Sequence, residues 1–278
     1  MSGRRLRLNP TAITGLSMLL LVVLSAVLAP VIAPHDPGRQ NLAARNTPPA
    51  WIDGGSMEHV LGTDRLGRDI LSRIIHGSRI SLVTALLAVA GSATLGTLLG
   101  LVAGYSGRLV QNVIMRLVDI MLAVPFILLA LVIITVLGPS VLNLVLTFIA
   151  VRWVQFARIA YANTLEVKKR DFVQAARASG ASDARILQRY ILPNISSPLL
   201  VIGTLELGFV ILLESGLSFL GLGVPPEIPS WGSMLQEGRS LINIAWWLTT
   251  FPGLAIALTV LGFNFLGDWL RDSFDPHG

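Results

Sequence analysis

Val173-Gln174-Ala175-Ala176-Arg177-Ala178-Ser179-Gly180, followed after eleven residues by Leu192-Pro193, is a compact polar stretch set between long apolar runs. Asp171 is placed to cap a short helix over residues 172–179, and Gly180 sits where a left-handed residue ends a helix with little strain. Ser182 is placed to cap a second helix over 183–190, which Pro193 is expected to halt. The expected product is a helix-turn-helix elbow at 174–193 with small residues exposed on one side. Ala175, Ala176 and Gly180 let another surface come close, and Arg177, Arg185 and Arg189 place charge at the rim. Taken alone, the segment fits a plain amphipathic surface helix equally well. Its surroundings favour docking.

Those surroundings are of membrane grade. Of 278 residues, 53% are hydrophobic and only 13% are charged. Several uncharged windows reach the roughly 20 residues a spanning helix needs. The expected spans are 12–33, 81–103, 117–137, 141–155, 198–222 and 245–269, an even number that returns both chain ends to one side. Arg4, Arg5 and Arg7 precede the first span, and Arg108 and Arg116 flank the second loop. Lys168, Lys169 and Arg170 join the three elbow arginines in the fourth. The positive-inside rule makes these segments cytoplasmic. The loop 34–79 carries six arginines nearly balanced by five acidic residues and is the outer one. The sequence pI near 10.4 then reflects cytoplasmic loops, not nucleic-acid binding. The first apolar run is too long for a typical signal-peptide core and lacks a small-x-small cleavage site, so a retained helix is expected.

Within the apolar windows, Ser92, Gly96, Gly100 and Gly104 recur every fourth residue and form a flat face for a neighbouring helix. Pro125 and Pro252 are candidate kinks. Trp246 and Trp247 are expected as interfacial anchors at the outer end of the last span, with Trp269 at its inner end. Glu206 and Glu214 fall in the fifth span, where an unpaired charge costs about 2.5–3.5 kcal/mol. Pathway lining and pairing within the bundle are equally open for both. Arg152 and Asp119 are expected to reach the cytoplasmic headgroups. Zero cysteines exclude a disulfide scaffold. His35, His59, His76 and His277 are scattered and make no recognisable ligand pair, so no metal site is expected on this chain. No catalytic residues are assigned either.

The spacing of the two alanines, the glycine and Leu-Pro in the elbow resembles the EAA loop of permease subunits of ATP-binding-cassette (ABC) importers. Gln174 replaces the usual Glu, and Tyr190 stands where a small aliphatic is common. Leu61-Gly62-Thr63-Asp64-Arg65-Leu66-Gly67-Arg68-Asp69-Ile70-Leu71-Ser72-Arg73 is similar to a motif of the dipeptide, oligopeptide and nickel permease subfamily, specifically its C-type subunit. So are residues 214–224 with Pro229-Ser230-Trp231-Gly232, and the ending at 264–272 with Asp275-Pro276. Ile70, Leu71, Ile74 and Ile75 form an apolar stripe that reads as a short interfacial helix feeding the second span. The Gly62 and Gly67 turns are not phosphate loops, because a P-loop needs Gly-Lys followed by Ser or Thr and the lysines here sit in Val-Lys-Lys-Arg.

The resemblance implies an all-α polytopic membrane protein of the type I ABC importer permease fold, with six transmembrane helices and cytoplasmic coupling helices. It divides the chain into a cytoplasmic N-terminus and first helix (1–33), an extracytoplasmic loop with the interfacial helix (34–80), and a five-helix permease core (81–278) that includes the elbow 171–193. It implies a multi-pass bacterial or archaeal cytoplasmic-membrane protein with both termini cytoplasmic. The implied partners are a second homologous permease, two cytoplasmic ABC ATPase subunits, an extracytoplasmic substrate-binding protein and membrane lipid, but no nucleic acid. The chain itself carries no cofactor; ATP and Mg belong to the ATPases. Peptides, nickel chelates and glutathione-like solutes are the implied cargoes. Gln174, Ala175, Ala176, Gly180, Leu192 and Pro193 become the ATPase-coupling residues. A gradient-driven transporter is the alternative, though no internal repeat is visible. An intramembrane enzyme is the weaker one, as no nucleophile-base or His-Glu-x-x-His set is present.

Overall fold

The computed structural model describes residues 9–274. The expectations placed on Arg4, Arg5, Arg7, Asp275, Pro276 and His277 lie outside them. Helix α1 (Pro10–Ile32) starts at Asn9, whose side-chain oxygen accepts from Ala12 N at 2.8 Å, with Pro10 at the first helical position. A connector without long elements leads to α2 (Ile70–Tyr105), and then come α3 (Arg108–Ala123), α4 (Phe126–Leu137) and α5 (Val141–Val167). The elbow helices α6 (Asp171–Ala178) and α7 (Asp183–Ile186) precede α8 (Leu192–Phe219), short α9 (Trp231–Gly238) and α10 (Trp247–Phe274).

The small-residue face predicted on α2 is the seam of the bundle. A methyl group added at Gly96 would lie 2.2 Å from Trp153 O, one at Gly100 2.4 Å from Ala157 O, and one at Gly104 2.6 Å from Thr164 Cβ. Backbones approach here as only glycine permits. Because Ser92 meets Phe148 and Gly104 meets Thr164, α2 and α5 run parallel. Two parallel neighbours need a return crossing between them, and α3 with α4 supplies it as a pair bent by 90°. The window 117–137 is therefore a broken span rather than a straight helix. Val124 is extended (ψ 128°) ahead of Pro125, as the proline ring demands of the residue before it. Pro252, by contrast, is buried within an unbroken α10.

Among the described residues, five helices are long and apolar enough to cross a membrane, and the bent pair, as the return between the parallel α2 and α5, counts as a sixth crossing. Gly15 near the start of α1 packs on Phe265 near the end of α10, and Gly267 packs on Thr204 and Leu205 in the first half of α8. The described chain ends thus lie at the same end of the bundle as the elbow.

The outer motif departs from its expected form. α2 is a single helix of 36 residues, about 54 Å long, so Ile70–Ile75 extend a span rather than lie in an interface. Its stripe faces protein: Ile70 is buried beside Met234, Ala245 and Trp247. Arg73, which is not part of that stripe, is 1% exposed and bonds Glu237 of α9 at 2.7 and 3.1 Å and also Asp64. Arg68 joins the same carboxylates at 2.6 Å each. Gly62 and Gly67 have φ of +83° and +72°, and Asp64 Oδ1 accepts from Leu66 N and Arg68 N, closing the turn. The turns fasten an ionic clamp. Trp247 belongs to it as well, since its indole donates to Thr63 O at 3.1 Å and it is 5% exposed. It is a buried strut, while Trp246 stays exposed.

Candidate functional site: the elbow and the buried charges

In the elbow, Arg170 rather than Asp171 occupies the capping position, and Asp171 lies in the first turn, where its charge favours the helix N-terminus. Gln174 reaches back to Lys168 O at 2.7 Å. The C-terminal end is as expected. Gly180 has φ +79°, its N–H donates to Arg177 O, and Ala181 N–H donates to Ala176 O, which is the Schellman arrangement. Ser182 sits at the next N-cap position without a side-chain bond.

Pro193 does not halt the second helix. Residues 183–219 form one continuous rod of 37 residues. The proline has no N–H and crowds the carbonyl of Arg189. A wide π-turn at Leu187–Ile191, with Leu192 N–H bonded to Leu187 O, absorbs the misfit.

Two faces of the elbow differ sharply. Val173, Ala176, Ile186, Ile191 and Ile195 pack on Leu101 of α2 and on Ala160 and Val167 at the end of α5. Gln174, Ala175, Gly180, Leu192 and Pro193 point outward. Of the residues expected to meet a partner, Ala176 alone turns inward. A side chain at Gly180 would meet open space. Three ties that the sequence reading missed join this elbow, and the run leading into it, to α2. Tyr105 donates to Asp183 Oδ1 at 2.6 Å, Arg177 stacks 5.3 Å from the Tyr105 ring, and Lys168 donates to Gly104 O. Partial burial, and then the charges of Lys169 and Arg177, push the Lys168 ammonium below its ordinary pKa. The end of the small-residue face at Gly104-Tyr105 was the available signal for these contacts.

Arg152 does not reach the headgroups. It is 8% exposed and grips Glu206, itself 5% exposed, with Nε–Oε2 at 2.9 Å and a second bond from Nη2 to Oε1. Its guanidinium lies 4.5 Å from the Phe209 ring centre and 5.5 Å from that of Phe126. The sequence signal was two opposite charges in different apolar windows. Asp119, in contrast, is exposed. Glu214 is wholly buried and accepts from Ser218 Oγ at 2.8 Å and Ser81 Oγ at 3.2 Å.

The histidines also differ from expectation. His35 and His59 stand with ring centres 4.8 Å apart beside Asp69, although 24 residues separate them in sequence.

Residues 96–277 match the family described as the binding-protein-dependent transport system inner membrane component, and residues 1–49 match the N-terminal TM domain of oligopeptide transport permease C. Among relatives, a di/tripeptide transport system permease of Pseudomonas aeruginosa is 46% identical over 96% of this chain and 88% of its own length. A dipeptide transport system permease of Escherichia coli is 47% identical over 96% and 89%. Among solved structures, a chain of the MetNI methionine ABC transporter, in inward-facing conformations, aligns with a TM-score of 0.60 at 16% identity, over 73% of this chain and 97% of that one. The latter likeness establishes the fold, and the sequence matches establish the descent. With six crossings, an elbow between the fourth and fifth of them and these matches along its length, the chain belongs to the binding-protein-dependent inner-membrane transport components, as a multi-pass permease subunit of an ABC importer whose ATPase is a separate subunit.

Proposed function

We propose that this chain forms half of the translocation pathway for short peptides and is driven through its elbow by a cytoplasmic ATPase. The observation carrying the substrate class is that relatives at 46% and 47% identity are named as di/tripeptide and dipeptide permeases. The working assembly has a second, homologous permease, two ABC ATPase subunits that bind ATP and Mg, and an extracytoplasmic binding protein that delivers cargo. The elbow end of the bundle is cytoplasmic, which accords with its Lys168, Lys169, Arg170, Arg185 and Arg189. In this reading Gln174, Ala175, Gly180, Leu192 and Pro193 seat in a cleft of one ATPase, and Ala176 holds the elbow to the bundle. ATP-driven closure displaces the elbow as a lever, and hydrolysis resets it.

The test is purification of the chain from native membranes in mild detergent, mass spectrometry of what accompanies it, and reconstitution with those partners. ATP-dependent uptake of a labelled dipeptide into proteoliposomes is the expected result. A complex that hydrolyses ATP but carries another solute would overturn the substrate class. Recovery without any ATPase, even after cross-linking through the elbow, would overturn the coupling.

A further inference from the structure

Opposite the elbow, at the first turn of α2, three groups from distant parts of the chain converge. His35 follows the end of α1, His59 lies in the middle of the connector and Asp69 caps α2. One ligating atom from each lies within 4.8 Å of the others. His59 Nδ1 is 3.0 Å from Asp69 Oδ1, and His35 Nδ1 is 3.8 Å from the same oxygen. The other carboxylate oxygen is engaged, accepting from Ser72 N at 2.8 Å. The His35 backbone is held by Ser72 Oγ at 2.9 Å. Yet His35 Nδ1 is buried and bonds nothing. An orphaned buried nitrogen costs about 1–3 kcal/mol, so something that accepts its lone pair is the missing partner. The three groups line a cleft of about 310 Å³ that also contains Glu58 and Arg39.

We propose that His35, His59 and Asp69 form a binding site for a first-row divalent transition-metal ion of the zinc type. Two imidazoles and one carboxylate are the donor set that borderline ions such as Zn²⁺ and Co²⁺ select over Mg²⁺ or Ca²⁺, which prefer all-oxygen shells. Bonds of roughly 2.0–2.2 Å to a tetrahedral centre place ligand atoms about 3.3 Å apart. The present 3.0 and 3.8 Å separations to Asp69 bracket that value and no pair of the three atoms is wider than 4.8 Å, so shifts of at most about 1.5 Å close the site. Each histidine then offers the Nδ1 lone pair and carries its proton on Nε2, the tautomer that a metal-bound Nδ1 requires. The fourth position opens on the cleft, to water or to Glu58. The ion would staple the end of α1 and the connector onto the capping residue of α2, beside the Arg68–Arg73–Glu237 clamp. As a resident structural ion it is independent of which solute the transporter carries.

The site is tested on the purified chain, carrying an affinity tag without histidine, stripped with chelator, reloaded with excess Zn²⁺ and desalted. Wild-type protein is expected to retain one equivalent of Zn²⁺ after desalting, and to show the visible absorption of tetrahedral Co²⁺ when loaded with that ion. Mg²⁺ should not compete. His35→Ala and His59→Asn should each lose the retained metal and the Co²⁺ spectrum. His35→Ala is the decisive variant, since its ring makes no hydrogen bond whose loss would unfold the protein. A wild-type chain that retains neither ion would overturn the proposal, as would variants that keep the same stoichiometry and spectrum.

Discussion

Replacing Arg152 with alanine should be among the most damaging single changes in this protein. The side chain is buried in the centre of α5 and makes two bonds to Glu206 of α8. Its removal strands a carboxylate that is only 5% exposed. Breaking a buried pair from one side costs about 3–5 kcal/mol. The stacking on Phe209 and Phe126, worth up to ~2 kcal/mol when desolvated, is lost in the same step, though the two figures do not simply add. Arg152→Lys keeps the charge but loses the planar fork, so its cost should be smaller. Removing both charges, as Arg152→Met with Glu206→Leu, leaves nothing stranded and should return the stability to near wild type or above it.

A double-mutant cycle on the detergent-solubilised complex, read by denaturant titration, measures this directly. Arg152→Ala and Glu206→Ala variants that each stay within ~0.5 kcal/mol of wild type would refute the reasoning, because surface pairs behave that way and buried ones do not. Uptake by the double variant separates the two roles open to Glu206. If the double variant is as stable and as active as wild type, the pair serves only to join α4, α5 and α8. A stable but inactive double variant would assign the charges to the pathway.

Three further outcomes follow from the same geometry. Gly180→Asp puts a charge on the exposed turn, where φ is +79° and there is open space. Its backbone cost is about 1–2 kcal/mol, so the protein should insert and assemble while ATP hydrolysis continues without uptake; normal uptake would count against the lever. Gly100→Leu drives a side chain into Ala157 O and Ala160 on α5, and should destabilise by at least ~1–3 kcal/mol, seen as loss of assembled complex on size-exclusion chromatography. Glu237→Gln weakens the clamp that holds Arg68 and Arg73. It should cost about 3 kcal/mol locally and speed proteolysis of the 33–69 connector, whereas an unchanged cleavage rate would show the connector is held elsewhere.

The features legible in the sequence are those carried by local pattern. Residue size repeating every fourth position gave the α2–α5 seam, and apolar length gave the crossings. Gly180 gave the end of α6 because a left-handed turn is a local backbone requirement. Contacts between distant segments were not legible. Arg152 and Glu206 each looked solitary, because a charge in an apolar window does not say which helix will face it. His35 and His59 looked scattered because the fold of a connector with little regular structure decides their approach. Pro193 misled for a different reason. A proline removes one hydrogen bond, but whether the helix stops or widens into a π-turn depends on the packing that holds both sides in line. Here Ile191 and Ile195 are fixed in the same apolar cluster across the proline, and the rod continues.

That continuity bears on how force travels. The elbow is tied to the end of α2 through Tyr105 and packs on the end of α5, where Lys168 in turn bonds Gly104 O of α2. The glycine seam, from Ser92 to Gly104, binds the elbow-side half of α2 tightly to α5, and such close packing resists their separation. At its other end α2 carries Asp69 and Arg73, hence the connector and α9. On the lever reading proposed above, a displacement at the elbow would reach the far side through α2, which is one unbroken helix. On the same reading, the places to yield are those where backbone hydrogen bonding is interrupted: the Val124-Pro125 break between α3 and α4, and the π-turn where α7 becomes α8. The Arg152–Glu206 pair, stacked on Phe126 at the first of these breaks, sits where α4, α5 and α8 meet, so the Arg152 variants above also probe that junction.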